Sequence, residues 1–241
     1  GACALALAIA IAFSWLTPLG ENYRVTVLDV GQGQCVVLQS AGRTYLVDCG
    51  GSTGQKSADA AMEYLYSIGI FRIDGMILTH PDGDHINGAA LLAGRMPIGE
   101  TYGIADTDVL ITQRTEITFA DCKITVFPGL TSGTDNEKSL SVLFQPGKRA
   151  ILITGDQTVA GENALVAAGL PNLDYLVVGH HGSDTSTGET LLSATRPLCA
   201  VISVGANNRY GHPDQTVLDR LAAYGCTVLR TDQNGTIIIR G

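Results

Sequence analysis

Leu78-Thr79-His80-Pro81-Asp82-Gly83-Asp84-His85 places four potential metal ligands in six residues, directly after an apolar strand predicted over Gly75–Thr79. Two imidazoles and two carboxylates suit a borderline divalent ion. The i, i+2, i+4, i+5 spacing works on a turning loop, where alternate side chains face one side. The plain structural alternative is an Asp/Gly turn with an incidental His pair. A metal site needs converging partners from elsewhere in the chain.

Such partners stand at other strand exits. Ile151-Leu152-Ile153-Thr154-Gly155-Asp156 ends an apolar strand with a carboxylate, although alone it reads equally well as a turn Asp. Val178-Gly179-His180-His181-Gly182-Ser183 sets two adjacent imidazoles after a third buried strand, one for metal and one for acid–base work on a substrate. Asn207-Asn208-Arg209-Tyr210-Gly211-His212-Pro213 offers a guanidinium, amides and an imidazole. That loop suits an anionic substrate, or is simply a polar turn with a solvated Arg. The chain has five histidines, His80, His85, His180, His181 and His212, each in a loop beside Gly, Pro or Asp. Packing alone does not explain that placement.

The pattern around these motifs is regular. Arg24–Val30, Cys35–Gln39 and Thr44–Asp48 read as strands of an antiparallel meander, the first two joined by the turn Gly31-Gln32-Gly33-Gln34. Ser57–Ile68 has helical spacing and stops at Gly69. A helix begins over Ala89–Ala93. Strands follow at Glu116–Phe119, Lys123–Phe127, Leu140–Phe144 and Ala150–Thr154, then a helix over Val159–Ala168. A strand Tyr175–Val178, a helix near Gly188–Ala194, a strand Cys199–Val204, a helix Gln215–Tyr224 and strands Thr227–Leu229 and Thr236–Arg240 complete the chain. Met96–Thr115 shows no clear pattern, and no internal repeat is visible. Two mixed sheets between helix layers, an α/β αββα domain over residues 21–241, is the expected architecture.

Composition narrows the function. The 241 residues are 45% hydrophobic and 16% charged, enough apolar surface for a full core, which excludes a disordered chain. The net charge of −8 argues against a protein that coats duplex DNA by charge alone. An acidic protein still handles phosphates where metal ions supply local positive charge. Six cysteines contain no CxxC pair and read as buried thiols in strands, although the pattern also permits a Cys199–Cys226 disulfide.

Residues 1–20 carry no charged side chain. Ala2–Leu16 as a helix would span about 22 Å, short of a ~30 Å hydrocarbon core. Three readings are open: the end of a transmembrane helix, the apolar stretch of a signal segment, and a buried helix. Trp15 and Pro18 suit a membrane-interface exit and favour the first.

Taken together, the chain resembles the metallo-β-lactamase superfamily, and within it the C-terminal hydrolase-like domain of ComEC-type DNA-internalisation competence proteins. The matching stretches are Leu28-Asp29-Val30-Gly31-Gln32-Gly33, Leu46-Val47-Asp48, Leu78–His85, Thr154-Gly155-Asp156, His180-His181-Gly182-Ser183 and Tyr210-Gly211-His212-Pro213. The resemblance implies a metallo-β-lactamase-like sandwich with one or two divalent ions. His80 and Asp82 would line one metal position. Asp84, His85 and His181 would line a second, with Asp156 bridging or capping the pair. His180 would face substrate, Asp29 and Asp48 would support the site, and Asn207, Arg209 and Ser183 would bind substrate. The superfamily usually has His where Asp82 stands and another His before the Thr-Gly-Asp strand. No His occurs between Ile86 and Gly179, which makes Asn136 a candidate weak ligand or water holder. ComEC-type domains share the Asp variant but usually carry Asp where Gln34 stands. The oxygen-rich first position favours Mn²⁺ or Mg²⁺ over Zn²⁺ there, or a single-metal site.

The expected function is a metal-dependent phosphodiesterase or nuclease acting on a DNA strand during uptake. No GxSxG elbow offers a side-chain nucleophile. The attacking group would be metal-bound hydroxide, its water's pKa lowered by the metal toward ~7. Asp84 and Asp156 would orient it, His180 or His212 would protonate the leaving oxygen, and Arg209 would help neutralise the phosphate. Expected partners are single-stranded DNA or another phosphodiester, a membrane channel domain in the same full-length chain, and other DNA-uptake proteins. The expected location is the bacterial cell membrane. Rival readings are an envelope hydrolase of small phosphoesters, choline-phosphate esters or lactones, a non-catalytic structural module of a DNA-uptake channel, and a mononuclear redox-type metalloprotein.

Overall fold

A computed structural model describes residues 22–241. The apolar segment read as the end of a membrane helix lies outside the described residues. Strands β1 (Tyr23–Val27), β2 (Val36–Ser40) and β3 (Arg43–Val47) form the expected antiparallel meander. β1 ends three residues before the expected Val30. There the Gly31 N–H donates to the Asp29 carboxylate at 3.0 Å and Gly31 takes φ +74°, closing a turn that leaves the ladder.

Helix α1 (Gly54–Ser67) starts three residues earlier than its apolar spacing suggests. Thr53 caps it by accepting the Lys56 N–H, and Ser57, Ala58, Ala61 and Leu65 form its buried face. β4 (Ile73–Ile77) leads to the short helices α2 (Gly83–Ile86) and α3 (Ala89–Ala93). β5 (Ile98–Gly103) and β6 (Val109–Leu110) occupy the unpatterned stretch. β5 carries exposed Gly99 and Glu100, and parallel pairing with β4 sets its conformation rather than an apolar run of its own.

The second half runs β7 (Thr115–Phe119), β8 (Cys122–Phe127), β9 (Ser141–Pro146), β10 (Ile151–Ile153), α4 (Val159–Ala167), β11 (Tyr175–Val177), α5 (Glu189–Thr195), β12 (Cys199–Ile202), α6 (Gln215–Ala223), β13 (Thr227–Arg230), α7 (Thr231–Asn234) and β14 (Ile237–Arg240). Two seven-stranded sheets result, ordered β14-β1-β2-β3-β4-β5-β6 and β13-β12-β11-β10-β9-β8-β7. Each is mixed: β3 to β6 and β10 to β13 are parallel and the rest antiparallel. Val25, Val47 and Ile77 of the first sheet share one core cluster with Val126, Phe144 and Ile153 of the second. Outer clusters lie under α1 and α3 on one side and under α4, α5 and α6 on the other. The architecture is αββα, as expected.

The sequence shows no repeat, yet both sheets use one device. Asp74 accepts from Arg43 Nη1 at 2.6 Å and the Thr44 N–H at 2.9 Å. Asp174 accepts from Arg149 Nη1 at 2.6 Å and the Ala150 N–H at 2.9 Å. Six residues beyond each Asp stands a strand-exit histidine, His80 or His180. The carboxyl ends of β3, β4, β10, β11 and β12 converge on one mouth, with Asp48 and Asp156 against His85 and His181 against Ser203, at the usual ligand position in α/β sheets.

Cys35, Cys49, Cys122, Cys199 and Cys226 are buried free thiols, so the Cys199–Cys226 disulfide does not form. Cys226 Sγ donates instead to the Pro197 carbonyl at 3.1 Å.

Candidate metal centre

His80, at the exit of β4, has no exposed side-chain surface. Its Nδ1 lies 3.2 Å from Thr79 Oγ1, and its Nε2 lies 3.5 Å from Asp156 Oδ2 and 3.7 Å from Asp82 Oδ2. The second half of the motif is one helical turn rather than a plain loop. Asp82 takes extended backbone at its start, and α2 carries Asp84 and His85. That turn swings His85 beneath its own loop.

His85 is fully buried and held from both sides. Its Nδ1 lies 2.7 Å from Asp48 Oδ2, and its Nε2 lies 2.9 Å from Asp156 Oδ1. The second pair is close but out of line for a hydrogen bond, and both atoms lack any hydrogen-bond partner. Burial pushes the His85 imidazolium down, but the carboxylates of Asp156 and Asp48 outweigh it and hold His85 well above the usual histidine range.

Asp156, at the exit of β10, is 4% exposed at its side chain. Its backbone N–H donates to Ser139 Oγ at 3.1 Å. Burial pushes its carboxyl up, but His85, His80 and His181 outweigh burial and hold it well below the usual range.

His181 accepts no strain-free backbone. Both His180 (φ 49°) and His181 (φ 54°) take left-handed φ, at a cost on the order of 1 kcal/mol each. Gly182 follows at φ +85°, where an added Cβ would meet Pro213 Cβ at 2.6 Å. The kink turns the His181 ring inward. Its Nδ1 donates to the Ser203 carbonyl at 2.8 Å, which leaves Nε2 as the acceptor atom, 3.4 Å from Asp84 Oδ2.

Four buried atoms thus converge without hydrogen-bond partners among the described residues: His80 Nε2, His85 Nε2, Asp156 Oδ1 and His181 Nε2. Unpaired polar atoms are costly in a native core, and imidazole nitrogens with a carboxylate oxygen are the donor set of a divalent transition ion. The ligand atoms of His80, His85 and Asp156 lie within 4.8 Å of one another, as do those of Asp84, His85 and His181. The residues fit a metal ion.

Around this set the structure places the other expected residues unequally. Asp48 touches His85, as above. Asp29 does not reach the ligands through its hydrogen bonds: its carboxylate accepts from Gly31 and serves the turn. Asn136 Nδ2 lies 3.4 Å from His180 Nε2, beside the ring that faces the mouth. Ser183 is 4% exposed and its hydroxyl is engaged with Thr185 Oγ1 at 3.0 Å, so it is poorly placed for substrate. Asn207 and Arg209 are exposed. Arg209 Nη2 donates to the Tyr210 hydroxyl at 2.7 Å, with its guanidinium over the Tyr210 ring. The His212 ring lies 5.8 Å from that of His180, and burial lowers the pKa of both imidazoles.

Several residues that shape the site gave little sequence signal. Gln34 Nε2 donates to Asp48 Oδ2 at 2.7 Å, and the Thr79 N–H and hydroxyl each donate to Asp48 at 2.7 Å. Asn208 accepts the His212 N–H at 3.0 Å and donates to the Gly205 carbonyl, pinning the whole loop. At Gly50 an added Cβ would meet the Asp84 carbonyl carbon at 2.2 Å, so only glycine lets the β3 exit pass behind the motif.

The geometry can be set beside known proteins. A family model described as the metallo-beta-lactamase superfamily matches residues 28–120. ComE operon protein 3 of Bacillus subtilis (strain 168) is 32% identical over 279 residues, covering 100% of this chain and 35% of that protein. Competence protein ComA of Neisseria gonorrhoeae is 34% identical over 220 residues, covering 88% of this chain and 31% of that protein. The chain spans about a third of the length of these curated relatives. Among solved structures, the metallo-beta-lactamase fold protein YhfI from Bacillus subtilis superposes with TM-score 0.63 at 14% identity, covering 91% of this chain and 100% of that one. No helix among the described residues is long and apolar enough to cross a membrane.

Proposed function

The chain belongs to the metallo-β-lactamase superfamily and resembles, within it, the ComEC-type competence proteins, and on that premise we propose a metal-dependent phosphodiesterase acting on a DNA strand during uptake. One observation carries the reading: four partnerless buried ligand atoms from three strand exits meet at an open mouth. His80, Asp82 and Asp156 would hold one divalent ion, and Asp84, His85 and His181 a second, with Asp156 between them. The oxygen-rich first set favours Mn²⁺ or Mg²⁺, and the nitrogen-richer second set also suits Zn²⁺. When bound, such ions lower the pKa of water and withdraw charge from a phosphate.

The chain's own residues supply the rest. Asp84, with its side chain 30% exposed, and buried Asp156 orient the attacking water at the floor of the mouth. His180 and His212, both at lowered pKa, stand at the rim and exchange a proton with the leaving oxygen. Arg209 has no carboxylate partner among the described residues and meets the phosphate there. The domain's partners in this reading are a membrane channel region of the same full-length protein and other DNA-uptake proteins, at the bacterial membrane.

The test is metal content together with Mn²⁺-dependent cleavage of a single-stranded oligonucleotide by wild type and Asp84→Ala. Bound metal with cleavage lost in the variant is expected. Bound metal without cleavage by wild type would move the reading to another ester. No bound metal would leave a structural module of the uptake channel.

A further inference from the structure

A polar groove of about 350 Å³ runs beside the metal centre and is lined by none of the candidate ligands. Asp29, Gly31, Gln32, Lys56, Asn207 and Asn208 line it. Its two walls are also walls of the centre. On one side, the turn that begins at Gly31-Gln32 continues to Gln34, whose N–H donates to the Asp84 carbonyl at 2.9 Å and whose side chain holds Asp48. On the other, Asn208 ties the groove-lining loop to His212.

Two features of the groove lack partners among the described residues. Gln32 Oε1 accepts the Gly205 N–H at 3.1 Å, which fixes the amide and leaves Gln32 Nε2 buried with no acceptor. The Lys56 ammonium, on the first turn of α1, has no carboxylate partner among the described residues. It stands close over the turn, 3.1 Å from where a Cβ on Gly31 would sit. The nearby acids are largely engaged. Both oxygens of Asp232 accept from Arg230, and Asp29 accepts from Gly31 while keeping one oxygen open. The groove therefore offers a cation, an unused amide donor and one free carboxylate oxygen.

The geometry points to a subsite for the nucleotide next to the scissile phosphate: its phosphate on Lys56, and its base edge between the Gln32 amide and the Asp29 carboxylate. A base edge carries carbonyl or ring-nitrogen acceptors and N–H donors together, which a free phosphate or carboxylate does not. A lone phosphate would also meet the open Asp29 oxygen. The inference rests on the phosphodiesterase reading and adds where the strand lies and which residues set the preference for a polymer over a minimal ester.

The experiment compares wild type, Lys56→Ala, Lys56→Arg and Gln32→Ala of the 1–241 chain on two probes. One is bis(p-nitrophenyl) phosphate with Mn²⁺, which has no flanking nucleotide. The other is a fluorescent 12-residue oligothymidylate, read by anisotropy for binding and by gel for cleavage. Lys56→Ala is expected to weaken oligonucleotide binding about fivefold or more, and to reduce the slope of log affinity against log salt by ~0.7, one phosphate contact on a single strand. Lys56→Arg should restore most of it, and Gln32→Ala should weaken binding without changing the slope. Turnover of the minimal ester should be unchanged in all three. Unchanged oligonucleotide binding in Lys56→Ala, or equal losses on both probes, would overturn the subsite. If wild type hydrolyses neither probe, the phosphodiesterase reading fails. The anisotropy series still decides the groove: a loss confined to Lys56→Ala and Gln32→Ala supports a nucleotide seat, and no binding by wild type overturns it.

Discussion

Asp48 lies 2.7 Å from His85 Nδ1 and accepts from Gln34 Nε2 and from the Thr79 N–H and hydroxyl as well, all at 2.7 Å. Both Asp48 and His85 are fully buried. The carboxylate thereby fixes which His85 nitrogen faces the centre, since Nδ1 is committed and Nε2 is left as the ligand atom. Asp48→Asn keeps the volume and loses the charge. Its Mn²⁺ affinity, measured by calorimetric titration, should fall about 10–100-fold, with far-UV circular dichroism unchanged. Asp48→Ala strands four buried donors and should cost about 3 kcal/mol or more in urea unfolding. Wild-type affinity in Asp48→Asn would mean that the contact only packs the core.

Metal removal should be visible in stability, not only in activity. The partnerless atoms of His80, His85, Asp156 and His181 are an unfavourable feature of the fold that a ligand relieves. An ion at 100 times its Kd stabilises by about 2.7 kcal/mol, which in a domain of this size is a rise in Tm of roughly 5–10 °C. Scanning calorimetry with and without Mn²⁺ should show that rise, and Asp156→Ala should abolish it. An equal rise in Asp156→Ala would place the bound ion elsewhere.

The core strands and the candidate-site motifs were legible because each is a local pattern. Val25, Val27 and Ile153 sit in β-branched runs, and His80 through His85 form a dense cluster at a strand exit. What the sequence hid was set by distant partners. β5 takes its conformation from the β4 backbone it pairs with, and Gln34, Ser139 and Ser203 matter only through what they touch. Ser183 shows the same effect in reverse. Its residue type suits a site, but Thr185 engages its hydroxyl. The matching use of Asp74 and Asp174 leaves only a short sequence trace, an Asp six residues before a strand-exit His with an apolar strand between, and the Arg partners that complete it, Arg43 and Arg149, lie on or just before the neighbouring strands at unequal separations.

Asn208 is a positioning residue. It donates to the carbonyls of Gly205 and His212 and accepts the N–H groups of Tyr210 and His212, so it shapes the loop without reaching the ligands. Asn208→Ala should therefore leave Mn²⁺ content intact and lower kcat about tenfold or more, with a stability loss of about 1–2 kcal/mol. Loss of bound metal in the variant would show that the loop holds the centre rather than the rim.

Glu162 links pH to stability away from the ligands. It is 1% exposed, and its two oxygens accept the Thr187 N–H at 2.6 Å and the Gly188 N–H at 2.8 Å, where the loop after His181 enters α5. Burial pushes its carboxyl up to about 7, against the smaller lowering effects of the Gly188 and Thr187 N–H groups and the facing Arg220 guanidinium. Arg220 itself donates to the carbonyls of Ser186 and Thr187. The sign follows from proton binding. Between the ordinary value of 4.5 and about 7 the folded state holds more protons than the unfolded one, so stability falls as pH rises across that window. The contribution is fully present below 4.5 and lost above about 7. Glu162→Gln removes the titration while giving up one of the two N–H acceptors. Its Tm should lie below wild type at pH 5 and move up relative to wild type by pH 8. A Tm difference that stays constant from pH 5 to pH 8 would show that Glu162 is already ionised throughout the range, held so by Gly188, Thr187 and Arg220.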